Sequence, residues 1–299
     1  MLDARTAYSI QYWLESCPQG YLLHTEFGHE RGAREPGFVL ENPVVREEAI
    51  GTTVQLVVGE RAALAASSGL INAAPDAASK AFLATQTLDE ARHVEIFTQR
   101  LFDLGVKRDE LESTIAHHAN PHLVRFAEIL LEKVDKKDFV AGVVGQNIVL
   151  EGLAFSTFEM MQAANRDTNP KFARTLSGTI ADERRHVGFG ENRIGSLLRE
   201  QPGKKPEIER MQKDMAYHML ATLADRFRGQ SAAMQEARRA IEEQASHGGP
   251  TPRSHVWHGT DLSKAEPREM EAVLAETVLK EFKTRLARIG LDYQSPERP

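Results

Sequence analysis

The chain has 299 residues, of which 41% are apolar, and a formal net charge of −6. This composition allows a sizeable core, and the absence of a basic block disfavours nucleic-acid binding. The single cysteine, Cys17, excludes an internal disulfide framework and suits a reducing cytoplasm. The N-terminal residues lack the apolar run of a signal peptide, and the most apolar stretch, Phe139 to Leu150, is too short to span a bilayer. We therefore expect a cytoplasmic protein that binds neither nucleic acid nor membrane.

Most of the chain is predicted to be helical. Residues 1 to about 45 show no sustained repeat, although Tyr8 to Trp13 is compatible with a short helix. Further along, apolar residues recur at helical spacing, and no strand pattern of any length is found. The predicted helices are 45–74, 76–104, 120–134, 137–164, 171–199, 206–245 and 268–289. We expect a single domain over 1–299, with a four-helix core at 45–200 and a C-terminal helical extension at 201–299.

Two pairs of these helices are joined by short turns, one at Pro75 and one around Asp167, so each pair is expected to form a helical hairpin. The connection between the hairpins, 105–136, is long enough to cross the length of a bundle. One long crossover between two helical hairpins is the ferritin-like connectivity. The predicted fold is therefore all-α, a ferritin-like four-helix bundle with one long crossover and extra flanking helices.

The pentapeptide Asp-Glu-x-Arg-His occurs twice, at 89–93 and at 182–186. Within each copy the glutamate and the histidine are three residues apart and lie on one face of a helix. A further glutamate, Glu60 or Glu151, lies on the first helix of each hairpin, as far from the turn as the pentapeptide glutamate is. At about 1.5 Å of rise per residue, these residues come to matching heights. The candidate metal ligands are Glu60, Glu90, His93, Glu151, Glu183 and His186.

Four carboxylates placed together in an apolar bundle would be costly without compensating charge. Two divalent cations supply that charge, and carboxylate oxygens combined with imidazole suit iron or manganese. Each histidine also needs a partner for its second ring nitrogen. Asp89 and Asp182 are placed to be those partners, each for the histidine of the opposite hairpin. Arg92 and Arg185 are expected to form ion pairs with nearby acids.

Two other patterns that resemble metal sites are interpreted as structural. Glu26 and His29 fit Glu-x-x-His, but a glycine lies between them and no apolar helical repeat surrounds them. His255 and His258 lie in a loop without acids at fixed spacing, and are interpreted as surface or lid residues.

The inner helix faces carry large apolar residues near the predicted ligands, among them Leu56, Leu64 and Phe158. Apolar residues at such spacing form either ordinary core or the wall of a substrate pocket, and both interpretations stay open. If a pocket exists, its substrate is at least partly hydrophobic. The residues expected beside the metals or in the pocket wall are Gln86, Phe97, Asn147, Phe155, Thr179 and Gly190.

The doubled pentapeptide and the two lone glutamates resemble the metal site of the ferritin-like di-iron carboxylate proteins. Within these, the sequence is similar to the oxygen-activating branch: the hydroxylase subunits of bacterial multicomponent monooxygenases, the ribonucleotide reductase small subunits, and the ligand-binding oxidases related to the latter. The resemblance covers residues 45–200 and is specific for the metal site. It implies two iron ions, or a manganese–iron pair, and a homodimer.

Several positions depart from the patterns of these relatives. Phe97 stands where the reductase subunits usually carry a radical tyrosine. Gln146 and Ala62 stand where the ligand-binding oxidases carry a cross-linked tyrosine and valine. Phe155 replaces the threonine of the multicomponent hydroxylases, and Thr179 replaces the additional histidine ligand of the arylamine N-oxygenases. The sequence therefore matches the scaffold and the ligands of the superfamily, but no one member in full.

The resemblance implies a non-haem di-iron oxygenase or oxidase, which uses O2 to hydroxylate or otherwise oxidise, at carbon or nitrogen, a small and partly hydrophobic organic substrate. Electrons would come from an external ferredoxin or reductase, because no flavin or iron–sulfur motif is present. Two alternatives stay open: a reductase-like oxidase with a manganese–iron centre, and a ferritin-like protein for iron storage or peroxide scavenging. The missing radical tyrosine counts against a radical generator of the reductase kind, although Phe97 leaves a manganese–iron centre open, and the extension at 201–299 counts against the second alternative.

Overall fold

The computed structural model describes residues 25–229, 231–246, 256–262 and 264–296. The predicted short helix at Tyr8 to Trp13, the cysteine Cys17 and the loop residue His255 lie outside the described residues. Regular structure in the described residues is almost entirely helical, which confirms the all-α prediction. The helices are α1 (Gly37–Glu41), α2 (Pro43–Leu70), α3 (Ala77–Asp103), α4 (Leu111–His118), α5 (Pro121–Asp135), α6 (Phe139–Val143), α7 (Glu151–Asn165), α8 (Pro170–Glu200), α9 (Lys205–Gly229), α10 (Ser231–Ser246) and α11 (Pro267–Arg288).

Two small antiparallel hairpins accompany the helices. They are β1 (Thr25–Glu26) with β2 (His29–Glu30), and β3 (Val256–Trp257) with β4 (Thr260–Asp261). The prediction of no strands is wrong for these segments, because a strand of two residues is too short to give an alternating pattern. The first hairpin turns at Gly28, whose φ of +82° favours glycine. The Glu-x-x-His pattern at this turn is therefore not on a helix, in agreement with its interpretation as structural and not as a metal site.

The central bundle consists of the α2–α3 and α7–α8 hairpins, and in each the second helix begins at a capping residue. Asp76 accepts a hydrogen bond from the Ser79 backbone N–H at 2.7 Å, and Asn169 accepts one from the Phe172 N–H at 3.1 Å. Such caps satisfy backbone donors that have no partner inside the helix. In both hairpins the glutamate of the pentapeptide comes fourteen residues after the cap. Equal spacing from two caps places these two glutamates at matching heights.

The two hairpins are connected by a long crossover through α4 and α5, as predicted, and α5 packs on α2. The predicted helix 137–164 is interrupted: Val144–Leu150 forms a π-helical segment between α6 and α7. Such segments are rare and often occur at functional sites. The predicted helix 206–245 is two helices, of which the first ends at Gly229, because glycine is a poor helix former.

The C-terminal helices pack on the bundle. Helix α9 contacts α5 and the π segment, α10 contacts α2, and α11 contacts α7. The continuous run Phe139–Asn165 is long and apolar enough to cross a membrane by length and composition, but 83% of its most apolar window is buried in the protein. Its apolar composition follows from its central position, since α8, α9 and α11 all pack around it.

The interior of the bundle has two apolar clusters, separated by a polar layer. One cluster includes Val54, Phe97 and Phe172, and the other includes Leu83 and Leu153. Each of the four central helices contributes polar side chains to the layer between them. The buried residues of this polar layer are Glu60, Gln86, Glu90, His93, Gln146, Asn147, Glu151, Thr179, Asp182, Glu183 and His186.

Candidate metal centre

The six predicted metal ligands lie together in the middle of the polar layer. All of them are buried, and the most exposed, Glu60, is 5% exposed. They form two overlapping groups, in each of which the possible ligand atoms lie within 4.8 Å of one another. The first group is Glu60, Glu90, His93 and Glu183, and the second is Glu90, Glu151, Glu183 and His186. We call the six residues the carboxylate–histidine cluster, and the two groups its Glu60 half and its Glu151 half.

Glu90 and Glu183 belong to both halves. His93 Nδ1 lies 3.3 Å from one carboxylate oxygen of each, and His186 Nδ1 lies 3.3 Å from the other oxygen of each. The two outer glutamates each belong to one half: Glu60 lies 3.3 Å from His93 Nδ1, and Glu151 lies 3.8 Å from His186 Nδ1. Glu90 and Glu183 thus extend over both halves, and each half adds one further carboxylate and one imidazole. This arrangement could hold two metal ions.

The second nitrogen of each histidine faces an aspartate from the opposite hairpin. His93 Nε2 lies 3.1 Å from Asp182, and His186 Nε2 lies 3.3 Å from Asp89. An aspartate that accepts a hydrogen bond from the Nε2–H group leaves the lone pair of Nδ1 directed into the cluster. The geometry therefore places both aspartates where the sequence predicted them, although their effect on a metal stays a prediction.

The two pentapeptide arginines pair with these aspartates, which confirms the expectation of ion pairs. Arg92 is buried and contacts Asp182. Arg185 contacts Asp89 at 2.8 Å and Asp182 at 2.7 Å, and its side chain is 53% exposed. The two copies of one motif thus differ: one arginine lies inside the protein, and the other lies at its surface.

Three amide side chains hold Glu151. Gln86 Nε2 donates to it at 2.7 Å, Asn147 Nδ2 at 3.0 Å and Gln146 Nε2 at 3.2 Å. The π segment carries Gln146 and Asn147, so this part of the fold bears directly on the cluster. The sequence predicted Gln86 and Asn147 beside the metals. The sequence marks Gln146 only as a departure from the ligand-binding oxidases, although its position five residues before Glu151 is a signal that it could reach this carboxylate.

The pKa values of the cluster carboxylates indicate that these buried groups need compensating positive charge. Burial raises the pKa of Glu60 to about 8, against the attraction of His93. Burial and the nearby Glu183 raise the pKa of Glu151 well above its usual range. Burial opposes ionisation of Glu183 too, but hydrogen bonds from His186 and His93 lower its pKa to about 2. Without cations, therefore, some of these carboxylates hold protons, and others rely on charged histidines.

Burial and the neighbouring carboxylates also shift the pKa values of the two histidines. Burial opposes the charged form of His93, but Glu60, together with hydrogen bonds to neighbouring carboxylates, raises its pKa well above the usual value. The same balance holds for His186, where Glu90 is the main opposing charge. One oxygen, Glu90 Oε2, is buried and accepts no hydrogen bond from any described residue. A buried carboxylate oxygen in this condition fits a metal ligand, so the donor set suits divalent metal ions.

A cavity of about 620 Å³ opens beside the cluster, and its wall is mostly apolar. It extends from the carboxylates along α2 and α7 to the C-terminal helices α9 and α10. Its apolar wall includes Leu56, Ala154, Phe158, Met219, Met234 and Ile241. Four cluster residues reach the cavity: Glu60, Glu90, Glu151 and Glu183. The extension at 201–299 therefore encloses the space next to the cluster.

Only part of the predicted pocket wall lines this cavity. Leu56 and Phe158 do, but Gln86, Phe97, Asn147, Thr179 and Gly190 do not. Gln86 and Asn147 are turned towards Glu151 by their hydrogen bonds, and Phe97 packs in an apolar cluster. Thr179 is fully buried, one turn before Glu183.

Gly190 and Phe155 also lie away from the wall of this cavity. The space beside Gly190 is filled, because a Cβ placed there would lie 2.5 Å from the Cβ of Asn147. Its role is thus to allow two helices to approach closely, and it leaves no empty volume. Phe155 lines a different cleft, next to α11, where Arg285 lies 4.9 Å and Arg184 5.7 Å from the centre of its ring.

No protein-family model matches the sequence, and no curated protein is significantly similar to it. Solved structures of R2-like ligand-binding oxidases are similar in fold. One with an aerobically reconstituted Mn/Fe cofactor aligns over 85% of this chain and 84% of its own, with a TM-score of 0.66 and 17% identity. A glutamate-to-aspartate variant aligns over 84% of both chains, with a TM-score of 0.66 and 17% identity. The chain thus has the ferritin-like helical-bundle fold of the R2-like ligand-binding oxidases, as the resemblance in its motifs predicted.

Proposed function

We propose that this protein is a di-metal oxidoreductase that uses O2 to oxidise a small, partly hydrophobic organic substrate. The observation that carries the proposal is the carboxylate–histidine cluster, which is buried and yet faces a mostly apolar cavity of about 620 Å³. The metals would be two iron ions, or one manganese and one iron. The carboxylate and imidazole donors support this choice, as does the Mn/Fe cofactor of the structurally similar oxidases.

Different residues of the cluster would have different roles in metal binding. Glu90 and Glu183 would bridge the two positions, since each presents one oxygen to each half. Asp89 and Asp182 orient the histidines. When bound, the two ions would supply the redox change and the open coordination positions that O2 reduction needs. The surrounding protein contributes binding, orientation and the exclusion of water.

The two halves differ in how firmly they hold their outer glutamate, which supports a functional division between them. Glu151 accepts hydrogen bonds from three amides, whereas the contact of Glu60 in the cluster is with His93. Both glutamates reach the cavity. Glu60 is therefore the carboxylate with more freedom to move, and we place the approach of O2 and substrate on its side.

The apolar wall of the cavity supports an apolar substrate, because burying polar groups there without partners would be costly. We propose oxidation at carbon or nitrogen, as a monooxygenase or as an oxidase. A monooxygenase would draw electrons from an external ferredoxin or reductase. The radical-generating alternative is not favoured, since the position of the usual tyrosine is the fully buried Phe97. We also propose a homodimer, on the basis of the resemblance, and a cytoplasmic location, on the basis of the single cysteine.

Metal analysis followed by rapid mixing with O2 tests the proposal. Protein produced with iron and manganese should hold about two ions per chain, and the anaerobic reduced form should react rapidly with O2 to give a transient visible absorption. The Glu151→Ala variant should lose metal, while Glu95→Ala, a half-buried glutamate on α3 outside the cluster, should keep it. Absence of bound metal would refute the cluster as a metal site. Two bound ions with slow, featureless oxidation would contradict the oxidase and indicate iron storage.

A further inference from the structure

A second group of possible metal ligands lies away from the carboxylate–histidine cluster, between the crossover and the C-terminal extension. His122 is in the first turn of α5, and His218 is in the middle of α9. Their Nδ1 atoms are 3.3 Å apart, and both side chains are partly exposed. The two nitrogens thus face each other across the contact between two packed helices.

The distance between these nitrogens fits a metal ion. Zinc binds imidazole nitrogen at about 2.0–2.1 Å in tetrahedral geometry, which separates two bound nitrogens by roughly 3.3 Å. The observed distance of 3.3 Å therefore requires no movement of either helix. The remaining coordination positions would be open to water, because both side chains reach the surface.

A carboxylate near the other face of His122 favours the form that can bind a metal. Asp225 Oδ2 lies 4.0 Å from His122 Nε2 and is held by Asn120 Nδ2 at 3.3 Å. A negative charge on this side favours a proton on Nε2, and so leaves the lone pair of Nδ1 facing His218. At 4.0 Å Asp225 is beyond direct hydrogen-bonding distance of His122, so it acts on the imidazole through its charge.

The surroundings of His218 also favour its neutral form. Burial, His122 and Arg125 together lower the pKa of His218. A metal ligand must be neutral imidazole, so this shift agrees with the geometry. Arg125 lies 2.8 Å from Glu128, which offsets its positive charge near the site. The competing explanation of the short contact is a single proton shared between the two nitrogens as a hydrogen bond.

We propose that His122 and His218 form a binding site for a divalent transition metal of the zinc type, distinct from the carboxylate–histidine cluster. The site links the crossover helix α5 to α9 of the C-terminal extension. The next residue after each histidine, Leu123 and Met219, lines the main cavity. A metal bound by both histidines links α5 to α9, which both contribute to the cavity wall. The inference does not depend on the proposed oxidase function.

Zinc binding to the full-length protein, with its cluster already loaded with iron, tests the site. After equilibrium dialysis against micromolar Zn2+, the wild type should hold one further zinc ion per chain. His122→Gln and His218→Gln should each lose this zinc and keep their iron. His117→Gln is the matched control, because His117 also lies beside a second histidine, with ring centres 4.8 Å apart, but outside the site. It should bind zinc as the wild type does.

Chemical modification provides a second measurement that needs no variant. Zn2+ should protect His122 and His218 of the wild type from diethyl pyrocarbonate, as mapped by mass spectrometry, while His117 stays reactive. Protection together with loss of zinc in both variants supports the site. No additional zinc in the wild type, or zinc binding unchanged in both variants, overturns it and leaves the contact as a hydrogen bond between histidines.

Discussion

Glu90 and Glu183 face each other across the bundle, and each directs one carboxylate oxygen towards His93 and the other towards His186. They come from opposite hairpins, each fourteen residues after the cap of its helix. The two halves of the cluster are therefore joined by shared residues, and a change at either of these glutamates acts on both halves. The outer glutamates, Glu60 and Glu151, act on one half each.

Removal of a shared glutamate should lower the metal content per chain more than removal of an outer one. We expect Glu183→Ala to lose both ions, and Glu60→Ala to keep about one. Metal analysis of the purified variants, with Glu95→Ala as control, measures the difference. Equal metal loss in the two cluster variants would contradict the proposal that both metal positions share Glu183.

The two aspartates behind the histidines should differ in their effect on stability. Asp182→Asn removes the charged carboxylate that the buried Arg92 contacts, and should lower the free energy of unfolding by about 3 kcal/mol. Asp89→Asn should cost about 2 kcal/mol less, because each aspartate supports one buried histidine but the arginine that contacts Asp89, Arg185, is 53% exposed. Chemical denaturation of the metal-free variants tests this, and the same loss in both would show that burial of the arginine is unimportant.

Two glycines on α8 should respond oppositely to the same substitution. Gly190→Ala places a methyl group 2.5 Å from the Cβ of Asn147, whereas Gly188→Ala meets nothing within 4 Å. The first should lower the free energy of unfolding by about 1–3 kcal/mol and displace an amide that holds Glu151. The second should raise it by about 0.5–1 kcal/mol, since alanine is the better helix former. Denaturation and metal content report both effects. Equal stability of the two variants would mean that the helices can separate at low cost.

The stability of the metal-free protein should fall as the pH rises. Burial raises the pKa of Glu60 from 4.5 to about 8, so between these values the folded protein holds a proton that the unfolded chain has released. This contribution to stability is fully present below pH 4.5 and is lost as the pH rises through about 8. Metal ions displace the same proton, so the loaded protein should depend less on pH and metal uptake should release protons. Denaturation of both forms across this range tests the prediction, and parallel pH profiles would contradict it.

The cavity should control substrate size without affecting metal binding. Ala154 lines it one turn from Glu151. Ala154→Phe should fill this space, keep both metals and reduce turnover of larger apolar substrates by about tenfold or more. Ala84→Phe, at an exposed position on α3, is the control and should leave turnover unchanged. Product analysis with substrates of increasing size measures the effect. Unchanged selectivity in Ala154→Phe would place the substrate elsewhere.

The sequence was most informative where one helix determines the geometry. The interval between glutamate and histidine in each pentapeptide, and the equal distances of Glu60 and Glu90 from Pro75, follow from the regular rise of an α-helix. For the same reason, the sequence could predict that Asp89 and Asp182 each contact the histidine of the opposite hairpin, since both directly precede glutamates at matching heights. Regular local structure thus predicted which residues meet.

The sequence was less informative where residues far apart in the chain come together. The cavity lies between α2, α7 and the C-terminal helices, so its wall depends on packing that no local repeat describes. Gly190 could be interpreted as empty space, because its neighbour Asn147 is on another helix. The π segment Val144–Leu150 depends on a shift of backbone hydrogen bonds that its side chains do not mark. These features required the three-dimensional structure.

The unequal burial of the two pentapeptide arginines has a consequence for how ionic strength acts on the centre. Dissolved ions screen the surface residue Arg185 but hardly reach Arg92. At high salt Asp182 therefore keeps its ion pair with Arg92. The ion pair between Arg185 and Asp89, the aspartate that supports His186, is weakened. Added salt should loosen one histidine and leave the other in place, which makes a centre built from a duplicated motif chemically unequal in its response to the medium.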